Sequence, residues 1–190
     1  MLRPIRVFAL LAVLAGLIAV AGCGQSEESA ANSSSSATSE GTYLELDRLK
    51  YQVQMSRYLN PHDMEDAAYL RGLPSGLKLG KDEIWFAVFM RVENDGDKTG
   101  KSSGVYEITD TENNVFRPVP LDSKRNDFVY RPQTLEPSAI IPSANSIAGQ
   151  GVIQGSLLLF KLKEADLQNR PLTLRIGPPS GGNRTVELDL

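Results

Sequence analysis
The chain has 190 residues, 41% of them hydrophobic and 23% charged, with a net charge of −3. Twenty basic residues stand against 23 acidic ones, so no basic excess points to nucleic acid. One cysteine excludes an internal disulfide, and one histidine excludes a site built on paired imidazoles.

The chain opens with MLRPIR, which carries Arg3 and Arg6 and no acid. Uncharged residues follow from Val7 to Ala21, almost all Leu, Val, Ala or Ile. A membrane-spanning helix needs about 20 apolar residues. This shorter run, with basic residues before it and small ones at its end, has the pattern of a secretory signal peptide over residues 1–22. Val20-Ala21-Gly22-Cys23 then resembles the bacterial lipobox. That resemblance implies a diacylglycerol on the Cys23 sulfur, cleavage before Cys23, and a mature protein held to the membrane by its acyl chains. One chain gives marginal attachment and two give stable attachment, at about 0.8 kcal/mol per buried methylene.

Residues 23–41 continue as a tether rich in Ser, Ala and Glu, with no Lys, Arg or large apolar side chain. Such a composition cannot offset its ordering entropy. As a coil, the eighteen residues from Gly24 to Gly41 span roughly 23 Å, and about 60 Å when stretched. The domain is expected over 42–190, the size of one fold. Removing Arg3 and Arg6 from the bases, and Glu27, Glu28 and Glu40 from the acids, leaves 18 against 20 there.

Leu49, Tyr51, Val53 and Met55 alternate with polar residues and predict a half-buried strand. Asp82–Asn94 is apolar on both faces at its middle, with Ile84, Phe86, Val88, Met90 and Val92 on one side and Trp85, Ala87 and Phe89 on the other. It belongs at the centre of a sheet, and Trp85 is expected to be buried. Gly104–Val119 reads as a hairpin turning at Glu112-Asn113-Asn114. Phe128–Tyr130 is a short strand. Val152–Leu162 is a long one, with Gly155 marking a bulge. Pro171–Ile176 and Thr185–Leu190 alternate again, separated by a Pro-Pro and Gly-Gly turn. Seven or eight strands argue for an all-β sandwich.

One segment departs from the strand pattern. Asn60 stands as a cap, Pro61 at a first turn, acids beside it and Gly72 beyond the end, which predicts one short inserted helix. Met64, Ala67, Ala68 and Arg71 share one stripe of that helix, expected to cover the open end of the sandwich. Loops on a β scaffold also carry binding residues. Asp63, Glu65, Tyr69 and Arg71 are therefore the candidate interaction surface.

The stretch Phe86–Leu162 resembles the DUF4352 family of extracytoplasmic immunoglobulin-like domains. The likeness rests on "FMRVENDGDK", "YEITDTENNVFRP" and "IQGSLLLFKL". It implies an immunoglobulin-like fold outside the cytoplasm and supplies no catalytic residues.

No catalytic grammar stands beside these elements. His62 lacks partners for a triad or a metal. "ENDGDKTG" fails the EF-hand spacing, with Lys98 where Gly and Gly104 where Glu are required. No G-x-S-x-G, P-loop or dinucleotide fingerprint occurs. The expectation is a non-enzymatic module without cofactor or metal, anchored through acyl chains at the extracytoplasmic face and meeting an envelope protein. A small-ligand binder or an envelope hydrolase is the alternative.

Overall fold
The structure is a computed structural model and describes residues 38–177 and 182–189. These belong to one compact unit, residues 34–190. The predicted signal segment, Cys23 and most of the predicted tether lie outside the described residues.

Two sheets face each other. The first contains β2 (Leu44–Leu46), β3 (Leu49–Leu59), β4 (Glu83–Glu93) and β10 (Ser156–Lys163), in the antiparallel order β10-β4-β3-β2. A short β9 (Ile140–Ile141) pairs with the end of β4. The second contains β1 (Thr38–Ser39), β6 (Val105–Thr109), β7 (Val115–Phe116), β11 (Leu172–Gly177) and β12 (Arg184–Leu188), in the order β1-β12-β11-β6-β7. Only β1 runs parallel to its neighbour, β12. A small pair joins β5 (Gly100–Lys101) to β8 (Thr134–Leu135).

This is an all-β sandwich with immunoglobulin-like connectivity. In that fold the strands A, B and E share one sheet and C, F and G the other. Here β3, β4 and β10 fill the first set and β6, β11 and β12 the second. The described residues also form two helices, α1 (Met64–Tyr69) and α2 (Ile147–Gln150), with a 3₁₀ turn at Glu164–Gln168.

The space between the sheets is filled by Tyr51, Val53, Phe86, Val88, Met90 and Phe160 from one side and Ile108, Leu174, Ile176 and Val186 from the other. All of these are fully buried. Each contributes about 1.5–3 kcal/mol by leaving water. A second core lies on the outer face of the first sheet. Leu59, Trp85, Ala87, Phe89, Leu157 and Leu159 form it. Partly buried Tyr69, Leu70, Leu73, Val119 and Phe128 cover it. The β10-β4-β3 sheet is thus the middle of three layers, which is why β4 is apolar on both faces.

Several boundaries differ from the sequence reading. β1 lies inside the stretch read as tether, and Glu40 is bonded into the fold. Its carboxylate accepts from the backbone N–H of Ser56 (3.0 Å) and of Asp189 (3.0 Å). β3 runs four residues beyond Met55 because a bulge between Val53 and Met55 shifts the burial phase. Tyr51 and Val53 point inward before it; after it Ser56 points inward and Leu59 faces the second core. β10 begins at Ser156, not Val152, which is fully exposed beyond α2. Gly155 precedes the strand and makes no bulge in it. A Cβ there would stand 2.8 Å from the Phe89 Cβ, so the glycine permits close approach to β4.

Candidate functional site: the inserted helix and the groove beside it
Asn60 and Asp63 divide the work that one cap was expected to do. The Asn60 side-chain oxygen accepts from His62 N–H (3.0 Å) and forms a turn. The helix proper starts three residues later. Asp63 Oδ1 accepts from the backbone of Glu65 (2.9 Å) and Asp66 (3.1 Å), leaving α1 only six residues long.

Asp66 ties this helix to the sheet. It is 5% exposed, yet Arg57 of β3 grips its carboxylate with two guanidinium nitrogens, one of them at 3.1 Å. The Asn60 backbone N–H donates to the same carboxylate at 2.8 Å. Burial pushes the Asp66 carboxyl up. The Arg57 hydrogen bond, the Asn60 bond and the Arg57 charge outweigh burial and hold it below the ordinary carboxylate value.

The other end of the insertion is held by Asn126, 1% exposed. Its side-chain NH₂ donates to the carbonyls of Tyr69 (2.8 Å) and Arg71 (2.9 Å), and its oxygen accepts from Phe128 N–H (2.9 Å). Gly72 follows with φ +76°, and any Cβ there would meet the Asp122 carbonyl at 2.8 Å. Asp122 N–H in turn donates to the Gly72 carbonyl (2.8 Å).

The four predicted surface residues therefore separate. Glu65 and Arg71 are exposed. Asp63 is exposed but occupied as the cap. Tyr69 is half-buried, its ring edge-on to Phe89 (5.0 Å) and Phe128 (4.7 Å), so it belongs to the second core rather than the surface. The predicted covering stripe is also turned round. Met64 is 89% exposed, and Ala67 and Arg71 face solvent, while Asp66, Tyr69 and Leu70 face the protein. Arg57 and Asn126 were missed. Arg57 reads as an outward strand residue and Asn126 as a loop residue, and neither announces its partner in sequence.

Beside the helix lies an apolar groove of about 360 Å³. Pro61, Ala67 and Leu70 line one part of it. Leu73, Leu77 and Leu79 come from the connection to β4, with Lys78 among them, and Trp85 reaches it from β4. Trp85 is 3% exposed, as expected from its strand. A second cleft, also about 360 Å³, runs between Pro118, Pro120, Tyr130 and Pro132. Tyr106 lines it and stacks edge-on with Tyr130 at 5.1 Å. The Tyr130 hydroxyl donates to the Ser103 carbonyl (2.9 Å), and Ser103 N–H donates to the Tyr51 hydroxyl (2.8 Å). Burial pushes the Tyr106 and Tyr130 phenols above their usual range, so neither supplies a phenolate near neutrality.

The Glu93–Gly100 turn is held by Asn94, which donates to the carbonyls of Lys98 (2.8 Å) and Leu135 (2.9 Å). Among the described residues, no group of three or more His, Cys, Asp or Glu is placed to hold a metal ion. His62 is exposed at the start of the insertion.

No family model and no curated relative matches the chain, so the DUF4352 likeness rests on its strand-and-turn motifs alone. Solved structures do match. The yjhA protein of Bacillus subtilis aligns over 80% of this chain and 99% of its own, with 12% identity and a TM-score of 0.52. The ycdA protein of the same species, a candidate lipoprotein, aligns over 80% of this chain and 39% of its own, with 15% identity and a TM-score of 0.49. An uncharacterised β-sandwich protein of Clostridium difficile 630 covers 84% of this chain and 99% of its own, at 8% identity and a TM-score of 0.45. At 12% identity the likeness to yjhA concerns the fold. The class is therefore a β-sandwich, here with a helical insertion over the outer face of one sheet.

Proposed function
We propose that this chain is a lipid-anchored, extracytoplasmic, non-enzymatic module that presents its inserted helix to another protein of the envelope. The anchor reading rests on the basic, apolar and lipobox segments ending at Cys23. Among the described residues, no helix is long and apolar enough to cross a membrane.

The single observation behind the partner reading is the exposure of Met64, 89%, on a helix whose other side is fixed by Asp66 and Asn126. Methionine is over-used at binding surfaces, because its flexible, polarizable side chain adapts to a partner. Tyr58, 63% exposed, stands at the end of β3, just before the insertion.

A photocrosslinking residue at position 64 of the full chain, activated in intact cells, tests this. One dominant adduct that disappears with Glu65→Arg supports the reading. No adduct at position 64, alongside normal lipid labelling of the protein, removes it.

A further inference from the structure
We infer that the cleft between the outer edge of β10 and the Pro118–Leu121 segment receives a proline-rich peptide, whose carbonyls take up two buried donors that the fold leaves unmet. This needs neither the anchor nor the exposed face of α1, so it stands or falls apart from the partner reading.

The cleft, about 360 Å³, opens where each sheet lacks a neighbouring strand. β7 pairs with β6 only at Ile108 and Thr109, so Tyr106 lies beyond it. In the other sheet, β10 is an edge strand. Leu157 N–H donates outward to the Phe128 carbonyl (2.7 Å), and Tyr130 N–H donates to the Leu157 carbonyl (2.9 Å). Continuing that parallel pairing needs an N–H at the next position but one, and Pro132 has none. Val119 N–H donates to the Leu159 carbonyl instead (2.7 Å).

Two donors remain. Alternate residues of an antiparallel strand turn their N–H groups to the same edge, so Leu159 N–H points outward between Tyr130 and Val119. Leu159 is 1% exposed, and among the described residues no acceptor faces this N–H. Orphaned buried amides are rare in folded proteins. The Tyr106 hydroxyl, on a residue 4% exposed, is the one buried side-chain oxygen or nitrogen among the described residues without a partner. Burial keeps it protonated and so a donor. Both residues line this cleft.

The groups already filled select the ligand. The carbonyls on either side of Leu159 N–H are occupied, so an ordinary strand laid there would bury its own N–H groups without acceptors. A tertiary amide brings a carbonyl oxygen and no N–H, and proline supplies one. Polyproline II has no internal hydrogen bonds, so its carbonyls are free to accept. Tyr106, Tyr130, Pro118, Pro120 and Pro132 set rings around the cleft, and this conformation docks into aromatic-lined grooves.

Both cores lie between Leu44 and Leu188 in one compact unit, so residues 38–190 carry the whole fold. A fluorescein-labelled proline decapeptide is expected to bind that protein saturably by anisotropy. In a nuclear magnetic resonance titration, the Leu159 amide proton should move downfield as the cleft fills. A Gly-Ser decapeptide is expected to bind more weakly. Tyr106→Phe should weaken the proline peptide roughly three- to tenfold. It should leave the free protein's melting temperature unchanged or higher, because the deleted hydroxyl had no partner. The inference is overturned by no saturation up to about 1 mM peptide, by equal binding of the Gly-Ser peptide, or by affinity that Tyr106→Phe leaves unchanged. It is equally overturned if N-acetylproline dimethylamide binds as tightly as the decapeptide, which would make the cleft a small-ligand pocket. If Tyr106→Phe melts early, the Leu159 resonance carries the decision, and one that stays in place overturns the inference.

Discussion

Asp66 is one residue on which an element depends. Replacing it with Asn leaves Arg57 without its carboxylate and weakens the three donor contacts from Arg57 and Asn60, a loss of about 1–3 kcal/mol. For a domain of this size that lowers the melting temperature by about 2–4 °C per kcal/mol. The carboxyl titrates below its ordinary value in the folded protein, so its contribution is present above the unfolded value near pH 4 and fades as the pH falls through the folded one. Urea titrations should accordingly show a full gap between wild type and Asp66→Asn at about pH 6 and a closing gap below about pH 4. A constant gap across that window would assign the effect to packing instead. Asn126→Asp makes the complementary test at the other end of the insertion. It keeps the acceptor for Phe128 but sets carboxylate oxygens against the carbonyls of Tyr69 and Arg71. Hydrogen exchange should speed up at residues 69–72 while β4 amides stay protected. Equal acceleration in both places would show that Asn126 supports the whole fold.

At the scale of elements, packing explains both what the sequence disclosed and what it hid. β4 was legible because its two apolar faces reflect two cores, and the β6–β7 hairpin because Glu112 to Asn114 carry turn chemistry. The second half of β3 was hidden by the bulge at Val53–Met55, which breaks the alternation on which a strand is recognised. α2 is only four residues long, and its cap, Ser146 accepting from Gly149 N–H (3.0 Å), lies in a run of small residues with no helical period. In the candidate site, a helix was foreseeable from its cap residues. Its orientation was not, because a six-residue helix is turned by Asp66 and Tyr69, whose partners Arg57, Phe89 and Phe128 are remote in sequence or on another element. The join between β10 and β4 gives a direct test. Gly155→Val would force a branched side chain onto the Phe89 Cβ and should destabilise by about 1–3 kcal/mol, read from its denaturation midpoint. A midpoint equal to wild type would mean that the segment before β10 moves freely.

For the whole molecule, two cores on the two faces of one sheet should unfold together. Residues 38–190 are expected to give a strand-dominated circular dichroism spectrum with a small helical part. Iodide should quench Trp85 poorly until the same denaturant concentration at which that spectrum is lost. Quenching that rises well before the loss of strand signal would mean that the outer layer opens as a separate unit. In cells, Cys23→Ala should leave an unprocessed precursor that takes up no labelled lipid. Normal labelling of that variant would refute the anchor.

Under the proposed anchor at Cys23, Glu40 takes on a mechanical meaning. Any drag on the body must enter it just after the leash ends, at a strand of only two residues, which alone would peel. The Glu40 carboxylate lies one residue further in and grips Ser56 in one sheet and the Asp189 backbone beside the other. Load arriving there is divided between both halves of the sandwich instead of stripping one edge. A single-molecule pull through the amino terminus should therefore yield at lower force in Glu40→Ala, with the unfolding length unchanged.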